Sequence, residues 1–462
     1  MSKKMQKQNT KTSTSSDISM KVGYGIGAVG KDMVYALVAG FLMYYFNTVL
    51  GVSATFIGVL FMAARTFDAF NDPVMGVLVG KTKSRFGRFR PWLMIGTLIN
   101  AVVLYFMFAV PESLEGNQML IYVSVIYIIW GMTYTIMDIP YWSMIPAITE
   151  PGKERETMSV IARSCAGLGY AISTALAMVL VSILGGGNER EGFRLVAMLV
   201  AIFFVIAITI TVTMVKEKNQ EQSKAPTVGE MLSALVHNDQ ALAVVVTIVI
   251  FNASLYLTQN LALYFFRYDI GNAELYGVFG TVGGVAQILA MTSLPVLRKK
   301  YTTSHIFVGA IITAIVGYTM LFLLGTLKIT NIVLLAVAAA IIFVGFGLAT
   351  VLTTIFLADT VDYGEWKSGQ RNESVIFSLQ TFVVKLASAI SVFIAGIGLD
   401  VIQLDIDAAT QTAGTLLGMR ILMTVIPVCG LIIAIVLFRK KYRLTEEKMG
   451  EITIELGKKM ED

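Results

Sequence analysis

Long apolar runs separated by short polar stretches fill the chain from residue 23 to residue 438. Each run has at least about 20 residues, which is the length that a helix needs to cross a bilayer. None alternates between apolar and polar residues as the strand of a membrane barrel does. The pattern therefore predicts an all-α protein with twelve transmembrane helices, at residues 23–50, 54–76, 91–110, 119–146, 157–184, 192–215, 240–267, 273–297, 304–327, 329–357, 374–399 and 415–438.

The longest polar connection, residues 216–239, separates the runs into two sets of six. We expect this connection to be a cytoplasmic loop between two six-helix bundles, residues 23–215 and 240–438. A cytoplasmic polar tail (1–22) precedes them and a cytoplasmic tail (439–462) follows. Two such bundles form the layout of the major facilitator superfamily, whose halves rock about a binding site at the membrane midplane.

Lysine and arginine residues concentrate in alternate loops. They cluster in the amino-terminal tail and at 81–90, 216–218, 298–300 and 439–443. The positive-inside rule places these loops and both termini in the cytoplasm. The net charge of +5 therefore reflects membrane topology, and we expect no nucleic-acid partner. The amphipathic segment after Tyr442 predicts a short surface helix.

The composition excludes a water-soluble globule. Hydrophobic residues make up 56% of the 462 residues and charged residues 15%, with a mean hydropathy of +0.72. We therefore expect a multi-pass protein of the cytoplasmic membrane in contact with lipid, and we take it to be monomeric. The sequence contains no arrangement typical of a hydrolytic triad or a metal-ligand set, so neither an enzyme nor a cofactor is expected.

An ionisable residue, Asp138, lies within the fourth apolar run. A carboxylate in hydrocarbon is costly, so such residues usually face a bundle interior and mark the path of a substrate or ion. Thr135 lies one turn before Asp138 and Trp142 one turn after it, which puts a hydroxyl, a carboxylate and an indole on one helix face. This combination suits a sugar. In the alternative interpretation the aromatic residues only pack, and Asp138 lies near a helix end at the interface.

A second acid, Asp32, follows Lys31 in the first run, and Arg163 lies in the fifth. Guanidinium donors opposite carboxylates are suited to gripping several sugar hydroxyls. The alternative is a purely structural Asp32–Arg163 ion pair.

Two acids in the second run, Asp68 and Asp72, are four residues apart and share one helix face. Adjacent carboxylates repel unless a cation lies beside them. With the hydroxyl of Thr135 they are candidate ligands for a monovalent cation. In the alternative, Asp72 marks a helix end near water and Asp68 pairs with Arg65.

Lys385 lies well inside the eleventh run, where a buried ammonium needs an acidic partner. We expect that partner in the acidic cluster of the second run, which would link ion binding to movement between the halves. A lysine paired only for structural reasons is the alternative.

Three glycines, Gly25, Gly27 and Gly30, fit a dinucleotide-binding pattern. No strand precedes them, and Asp32 stands where a P-loop needs Ser or Thr. Close helix packing accounts for these glycines better, and energy from ATP is not expected.

Five segments together resemble the glycoside-pentoside-hexuronide cation symporter family. They are Tyr24-Gly-x-Gly-Ala-x-Gly-Lys-Asp, Ala64-Arg-x-x-Asp-Ala-x-Asn-Asp-Pro, Trp130-Gly-Met-Thr-Tyr-Thr-Ile-Met-Asp-Ile-Pro-x-Trp-Ser, Ala358-Asp-Thr-Val-Asp-Tyr-Gly-Glu and Gln380-Thr-x-Val-Val-Lys. The resemblance implies symport of a small-molecule sugar with Na⁺, Li⁺ or H⁺. The implied cation ligands are Asp68, Asp72 and Thr135, with Lys385 as an adjacent charge. The implied sugar-binding residues are Lys31, Asp32, Tyr134, Asp138, Trp142, Arg163, Thr381 and Val384.

The same resemblance suggests a glycoside such as melibiose, or another galactoside or a xyloside, as the substrate. Thr350 stands where a melibiose-transporting member of the family has a tryptophan, which leaves the identity of the sugar open.

The basic loop at residues 81–90 also resembles a loop that closes the inward face of major facilitator proteins, with Asp359, Asp362 and Glu365 as possible partners. A solvated loop is the alternative. Two other functions stay open, a cation-coupled lipid or drug carrier of the same fold and a membrane sugar sensor that does not transport.

Overall fold

The computed structural model describes residues 2–149, 153–217, 238–368, 373–406, 408 and 410–461. Side chains are described for these residues except 2–17, 69, 70, 73, 76, 77, 80, 146, 153–156, 368, 373–381 and 457–461. Most of the predicted middle loop and the side chain of Thr381 therefore lie outside the described part of the protein.

Helices account for the regular structure of the described residues. The first group is α1 (Ser2–Tyr44), α2 (Ala54–Lys81), α3 (Arg90–Phe108), α4 (Gly116–Ser143), α5 (Ile145–Ile148), α6 (Lys153–Gly185) and α7 (Glu189–Met214). The second is α8 (Asp239–Tyr264), α9 (Leu275–Leu297), α10 (Thr303–Thr326), α11 (Ile332–Ser368), α12 (Glu373–Val401), α13 (Ala413–Arg420), α14 (Ile426–Lys441) and α15 (Glu446–Glu461). Short π-helical segments continue α1 (Tyr45–Val49) and α8 (Phe265–Ile270) and join α13 to α14 (Ile421–Val425). The surface helix predicted after Tyr442 is present as α15.

Eleven helical segments in the part of the chain with described side chains are long and apolar enough to cross a membrane. The predicted second span is helical, as α2, but it is not one of the eleven. Its apolar sequence is interrupted by Arg65, Asp68 and Asp72, and several of its side chains lie outside the described set. The protein is a multi-pass protein of the cell membrane.

The chain divides into two compact units, and the division passes through α2. The first unit comprises Met1–Val49 and Phe70–Lys224, and the second comprises Leu50–Ala69 and Ala225–Asp462. The bundle boundaries expected from the sequence, at residues 23–215 and 240–438, stay predictions.

Small residues bring α1 against its neighbours in the first unit. A Cβ at Gly27 would overlap the hydroxyl of Thr211 on α7, and one at Gly169 on α6 would overlap the backbone of Val29. The hydroxyl of Thr211 donates to the carbonyl of Gly23, at 2.8 Å. The glycines of α1 thus serve close helix packing, as the sequence predicted.

Aromatic residues fill the interior of the second unit. Phe307, Phe356 and Phe438, from α10, α11 and α14, lie with ring centroids 4.6–5.3 Å apart. At the start of α2, Asp400 accepts hydrogen bonds from the hydroxyl of Ser53 and the backbone N–H of Thr55, at 3.1 and 3.0 Å. Asp400 thereby satisfies one of the free N–H groups that every helix start presents.

Candidate functional site

A buried lysine bridges two carboxylates in the first unit. The ammonium of Lys31 lies 2.8 Å from an oxygen of Asp32 and 2.8 Å from an oxygen of Asp138. The Lys31 side chain is only 3% exposed, whereas those of Asp32 and Asp138 are 18% and 30% exposed. A buried ammonium needs paired charges of this kind to stay ionised.

This cluster carries one more negative than positive charge. The carboxylate oxygens that face Lys31 are themselves buried, so the exposed area of each acid belongs to the rest of its side chain. An ionised carboxyl group accepts several hydrogen bonds. Asp32 and Asp138 therefore keep acceptor capacity on the side away from Lys31, where a hydroxylated ligand can donate to them.

Helix α4 carries a stack of three aromatic rings that ends beside the cluster, at Tyr134. The rings of Tyr127, Trp130 and Tyr134 follow one another at centroid distances of 6.1 and 5.2 Å. The amide of Asn100 on α3 donates to the carbonyl of Trp130 at 3.0 Å and so ties the stack to a neighbouring helix. Tyr134 donates its hydroxyl proton to the carbonyl of Lys31 at 3.3 Å, which joins the stack to α1.

Two cations lie over the ring of Trp142. The Lys31 ammonium is 4.8 Å and the Arg163 guanidinium carbon 5.3 Å from its ring centroid. Such contacts stabilise both the cation and the orientation of the ring. The Asp32–Arg163 ion pair considered from the sequence is not formed; among the described side chains Asp32 pairs with Lys31. Arg163 is exposed and acts on Asp32 only at longer range.

The residues expected to bind a cation fall into two pairs. In the first unit, the buried hydroxyl of Thr135 donates to Asp72 at 3.4 Å. In the second unit, the buried Asp68 lies 3.5 Å from the Arg65 guanidinium, which is the pairing that the sequence offered as an alternative. Lys385 also acts on Asp68 electrostatically, and its role beside a cation site stays a prediction.

The remaining predicted sugar contacts belong to the second unit. Val384 is half-buried one residue before Lys385, and the side chain of Thr381 is not described. Thr350 is half-buried and donates to the carbonyl of Phe346 at 2.7 Å. No ligand contact is assigned to these positions.

Comparison with known proteins identifies the family. The family model described as MFS/sugar transport protein matches residues 23–446. The chain belongs to this family. Within it the chain is a member of the glycoside-pentoside-hexuronide cation symporter group of the major facilitator superfamily, and it is a transporter, not an enzyme.

Curated relatives match the transporter over most of its length. An uncharacterized symporter of Bacillus subtilis, YjmB, is 29% identical and covers 95% of both chains. The isoprimeverose transporter of Lactiplantibacillus pentosus is 29% identical over 82% of this chain and 79% of its own. The raffinose carrier protein of Pediococcus pentosaceus is 26% identical over 94% of this chain and 70% of its own.

Solved structures support the same fold. The nucleoside transporter NupG superposes with a TM-score of 0.64 at 14% sequence identity, covering 92% of this transporter and 100% of NupG. A bacterial homologue of the lysosomal transporter Spinster gives a TM-score of 0.67 at 12% identity, covering 93% and 97% of the two chains. At these identities the likeness concerns the fold alone.

Sequence reasoning missed a contact that holds the basic loop of the transporter. A carboxylate oxygen of Glu217 accepts the backbone N–H of Arg88 at 2.6 Å, and the other oxygen accepts those of Phe89 and Arg90 at 3.0 and 3.1 Å. The loop is therefore anchored within the first unit at the start of α3. Asp359, one of its predicted partners, accepts a hydrogen bond from the hydroxyl of Tyr442 at 3.0 Å.

A buried ion pair in the second unit was also missed. Arg420 at the end of α13 donates to both carboxylate oxygens of Asp269, at 2.6 to 3.1 Å. Asp269 is fully buried and Arg420 is 10% exposed. The two residues are 151 positions apart, so no local pattern indicates that they meet.

Proposed function

We propose that this transporter carries a glycoside into the cell by cation-coupled symport. The observation that supports this most strongly is the cluster of Lys31, Asp32 and Asp138 beside Trp142. Its acids can accept further hydrogen bonds from sugar hydroxyls. By formal charge, Lys31 balances one of the two acids, so the cluster keeps one negative charge. Such a cluster would lower the affinity of a carrier for apolar lipids or drugs, because its polar groups would lose hydrogen bonds to water without gaining new ones from the ligand.

The acids and the base of the cluster have different tasks in this proposal. Asp32 and Asp138 accept hydrogen bonds from sugar hydroxyls, and Arg163 donates from the exposed side. Lys31 holds both acids in place through its two ion pairs. Trp142, with Tyr134 behind the cluster, offers an aromatic surface for the apolar face of the sugar ring, in addition to holding the two cations.

The proposed coupling ion is Na⁺, with Li⁺ or H⁺ as alternatives. Asp72 and Thr135 bring a carboxylate and a hydroxyl together, which are the oxygen ligands that hard cations prefer. Asp68, one turn earlier on α2, is the proposed third ligand, and its pairing with Arg65 must then loosen when the ion binds. Lys385 is its proposed charge partner.

Coupling follows from linkage between the two ligands. If cation binding raises sugar affinity by some factor, sugar binding must raise cation affinity by the same factor. Relatives named for raffinose, isoprimeverose and lactose support a galactoside or a xyloside as the first substrates to test.

The test is uptake of radiolabelled raffinose, lactose, melibiose and a xyloside into proteoliposomes, under imposed Na⁺, Li⁺ or proton gradients. We expect gradient-dependent uptake of at least one sugar by the wild type and none by Asp138→Asn, which keeps the size of the side chain but removes its charge. Glu191→Gln, at a partly exposed acid in the first turn of α7 whose side chain is 38% exposed, is the matched control and should transport normally. Full uptake by Asp138→Asn would refute the assigned role, and uptake of apolar compounds instead of sugars would favour the drug or lipid carrier.

A further inference from the structure

Two buried tyrosines form a reciprocal pair next to the cluster. Tyr24 on α1 donates its hydroxyl proton to the carbonyl of Tyr141 on α4, and Tyr141 donates to the carbonyl of Tyr24, both at 2.5 Å. Their rings are stacked with centroids 4.4 Å apart, and both residues are fully buried. Each tyrosine thus binds the backbone of the other helix, so the pair fixes the distance between α1 and α4 at this level.

The pair lies on the two helices that carry the cluster. Tyr24 precedes Lys31 by seven residues, which is two helical turns, so both side chains lie on one face of α1. Tyr141 follows Asp138 by three residues and directly precedes Trp142. The Lys31 ammonium lies 5.4 Å from the centroid of the Tyr141 ring, and the rings of Tyr141 and Trp142 meet edge to face at 5.6 Å.

Helix α4 lacks an internal hydrogen bond at this level because of Pro140. Proline has no backbone N–H, so the helical hydrogen bond to the carbonyl four residues earlier is missing there. The helix ends at Ser143, where Met144 shares its N–H between the carbonyls of Pro140 and Tyr141, at 3.0 and 3.3 Å. The helix therefore lacks one internal hydrogen bond at Pro140, directly before Tyr141, whose carbonyl accepts the hydroxyl proton of Tyr24.

A glycine on α1 makes room for the pair. A Cβ at Gly27 would lie 3.2 Å from a ring carbon of Tyr141, as well as overlapping Thr211. The ring of Tyr141 therefore packs directly on the backbone of α1, and the two helices are in contact one turn before the cluster begins.

We propose that Tyr24 and Tyr141 are positioning residues for the substrate site. By tying α1 to α4 they hold Lys31 within reach of Asp138 and orient Trp142. This inference rests on the proposed sugar-binding function of that cluster, and it assigns the tyrosines no contact with the sugar itself.

The test uses Tyr24→Phe, Tyr141→Phe and the double variant, with Tyr45→Phe as the matched control. Each substitution keeps the ring and removes one hydroxyl, so the double variant lacks two. Tyr45 is a buried tyrosine of the same unit that donates to the carbonyl of Phe108 at 2.8 Å, on a different pair of elements. Sugar binding is measured calorimetrically in nanodiscs, and uptake gives KM and Vmax separately.

We expect Tyr24→Phe and Tyr141→Phe each to raise Kd and KM about two- to tenfold, the effect of one buried hydrogen bond, with Vmax little changed. Because the two bonds support the same helix contact, the double variant should lose less than the product of the single losses. Tyr45→Phe should bind sugar as the wild type does. Unchanged Kd in both single variants, or a loss confined to the amount of folded protein, would overturn the inference.

A second measurement works without any sugar. In a background where Trp92, Trp130 and Trp366 are phenylalanine, Trp142 is the remaining tryptophan of the sequence, and its quenching by acrylamide reports its exposure. We expect Tyr24→Phe to increase this quenching and Tyr45→Phe to leave it unchanged; equal quenching in all variants would overturn the positioning role. If the wild type binds no glycoside at all, the proposed function fails, while the quenching still decides whether the tyrosine pair orients Trp142.

Discussion

The buried pair of Asp269 and Arg420 allows a quantitative prediction about the stability of the second unit. Removing one partner of a buried ion pair leaves an uncompensated charge and costs about 3–5 kcal/mol. Asp269 is fully buried and accepts three hydrogen bonds from Arg420, so Asp269→Ala should fall in this range. A loss of this size lowers Tm by about 6–20 °C for a unit of this size.

The matched control is an ion pair of similar length on the surface. Arg194 lies 2.5 Å from Glu191, but their side chains are 45% and 38% exposed. Exposed pairs contribute about 0–1 kcal/mol, so Glu191→Ala should change Tm by no more than about 4 °C. The difference between the two variants isolates the effect of burial.

A double variant separates the loss of the attraction between the two charges from the cost of leaving one buried charge without its partner. Replacing both partners of a buried pair by apolar residues of similar volume is often neutral or stabilising. We therefore expect Asp269→Leu/Arg420→Met to recover most of the Tm lost in Asp269→Ala. The assay is thermal unfolding of the purified protein in detergent, followed by size-exclusion chromatography of the remaining monodisperse fraction. A Tm for Asp269→Ala within about 2 °C of the wild type, or a double variant less stable than the single one, would refute the reasoning.

Two further predictions concern the first unit. On α6, a Cβ at Gly167 meets open space, whereas one at Gly169 would overlap the backbone of Val29. Since alanine is the better helix former by about 1 kcal/mol, Gly167→Ala should keep or raise Tm. Gly169→Ala should instead lower the stability by about 1–3 kcal/mol through overpacking. Equal Tm values for the two variants would contradict the close approach of α1 and α6. Glu217→Ala removes the acceptor of three backbone N–H groups, which should lower the free energy needed to open the basic loop by about 1–3 kcal/mol. We expect trypsin to cleave faster after Arg88 in this variant. An unchanged cleavage rate would show that Glu217 does not hold the loop.

Much of the architecture followed from the sequence because a bilayer leaves a chain few options. Backbone polar groups in hydrocarbon must be bonded internally, so long apolar runs had to be helices. The cost of a charge in lipid likewise marked Asp32, Asp138 and Lys385 as functional candidates from their positions in apolar runs. The glycines of α1 could be assigned to helix packing because no strand precedes them.

The pairing of these charges was decided by the tertiary structure. Sequence reasoning paired Asp32 with Arg163, yet Asp32 pairs with its neighbour Lys31 on α1, and the same ammonium reaches Asp138 on α4. Lys31 itself was assigned to the sugar site only through the family resemblance. Within α2, spacing predicted that Asp68 and Asp72 share a face and left an Asp68–Arg65 pair as an alternative; in the structure these two side chains lie 3.5 Å apart.

Contacts between distant positions were beyond any local pattern. Tyr24 and Tyr141 are 117 residues apart, and Asp269 and Arg420 are 151 apart. No spacing along the chain relates the two partners of either pair. Periodicity and the cost of burial act along a single helix, and they determined which segments cross the membrane and which polar residues are unusual. The contacts that satisfy those polar residues depend on which helices meet and at what distance, and that is set by packing across the whole unit.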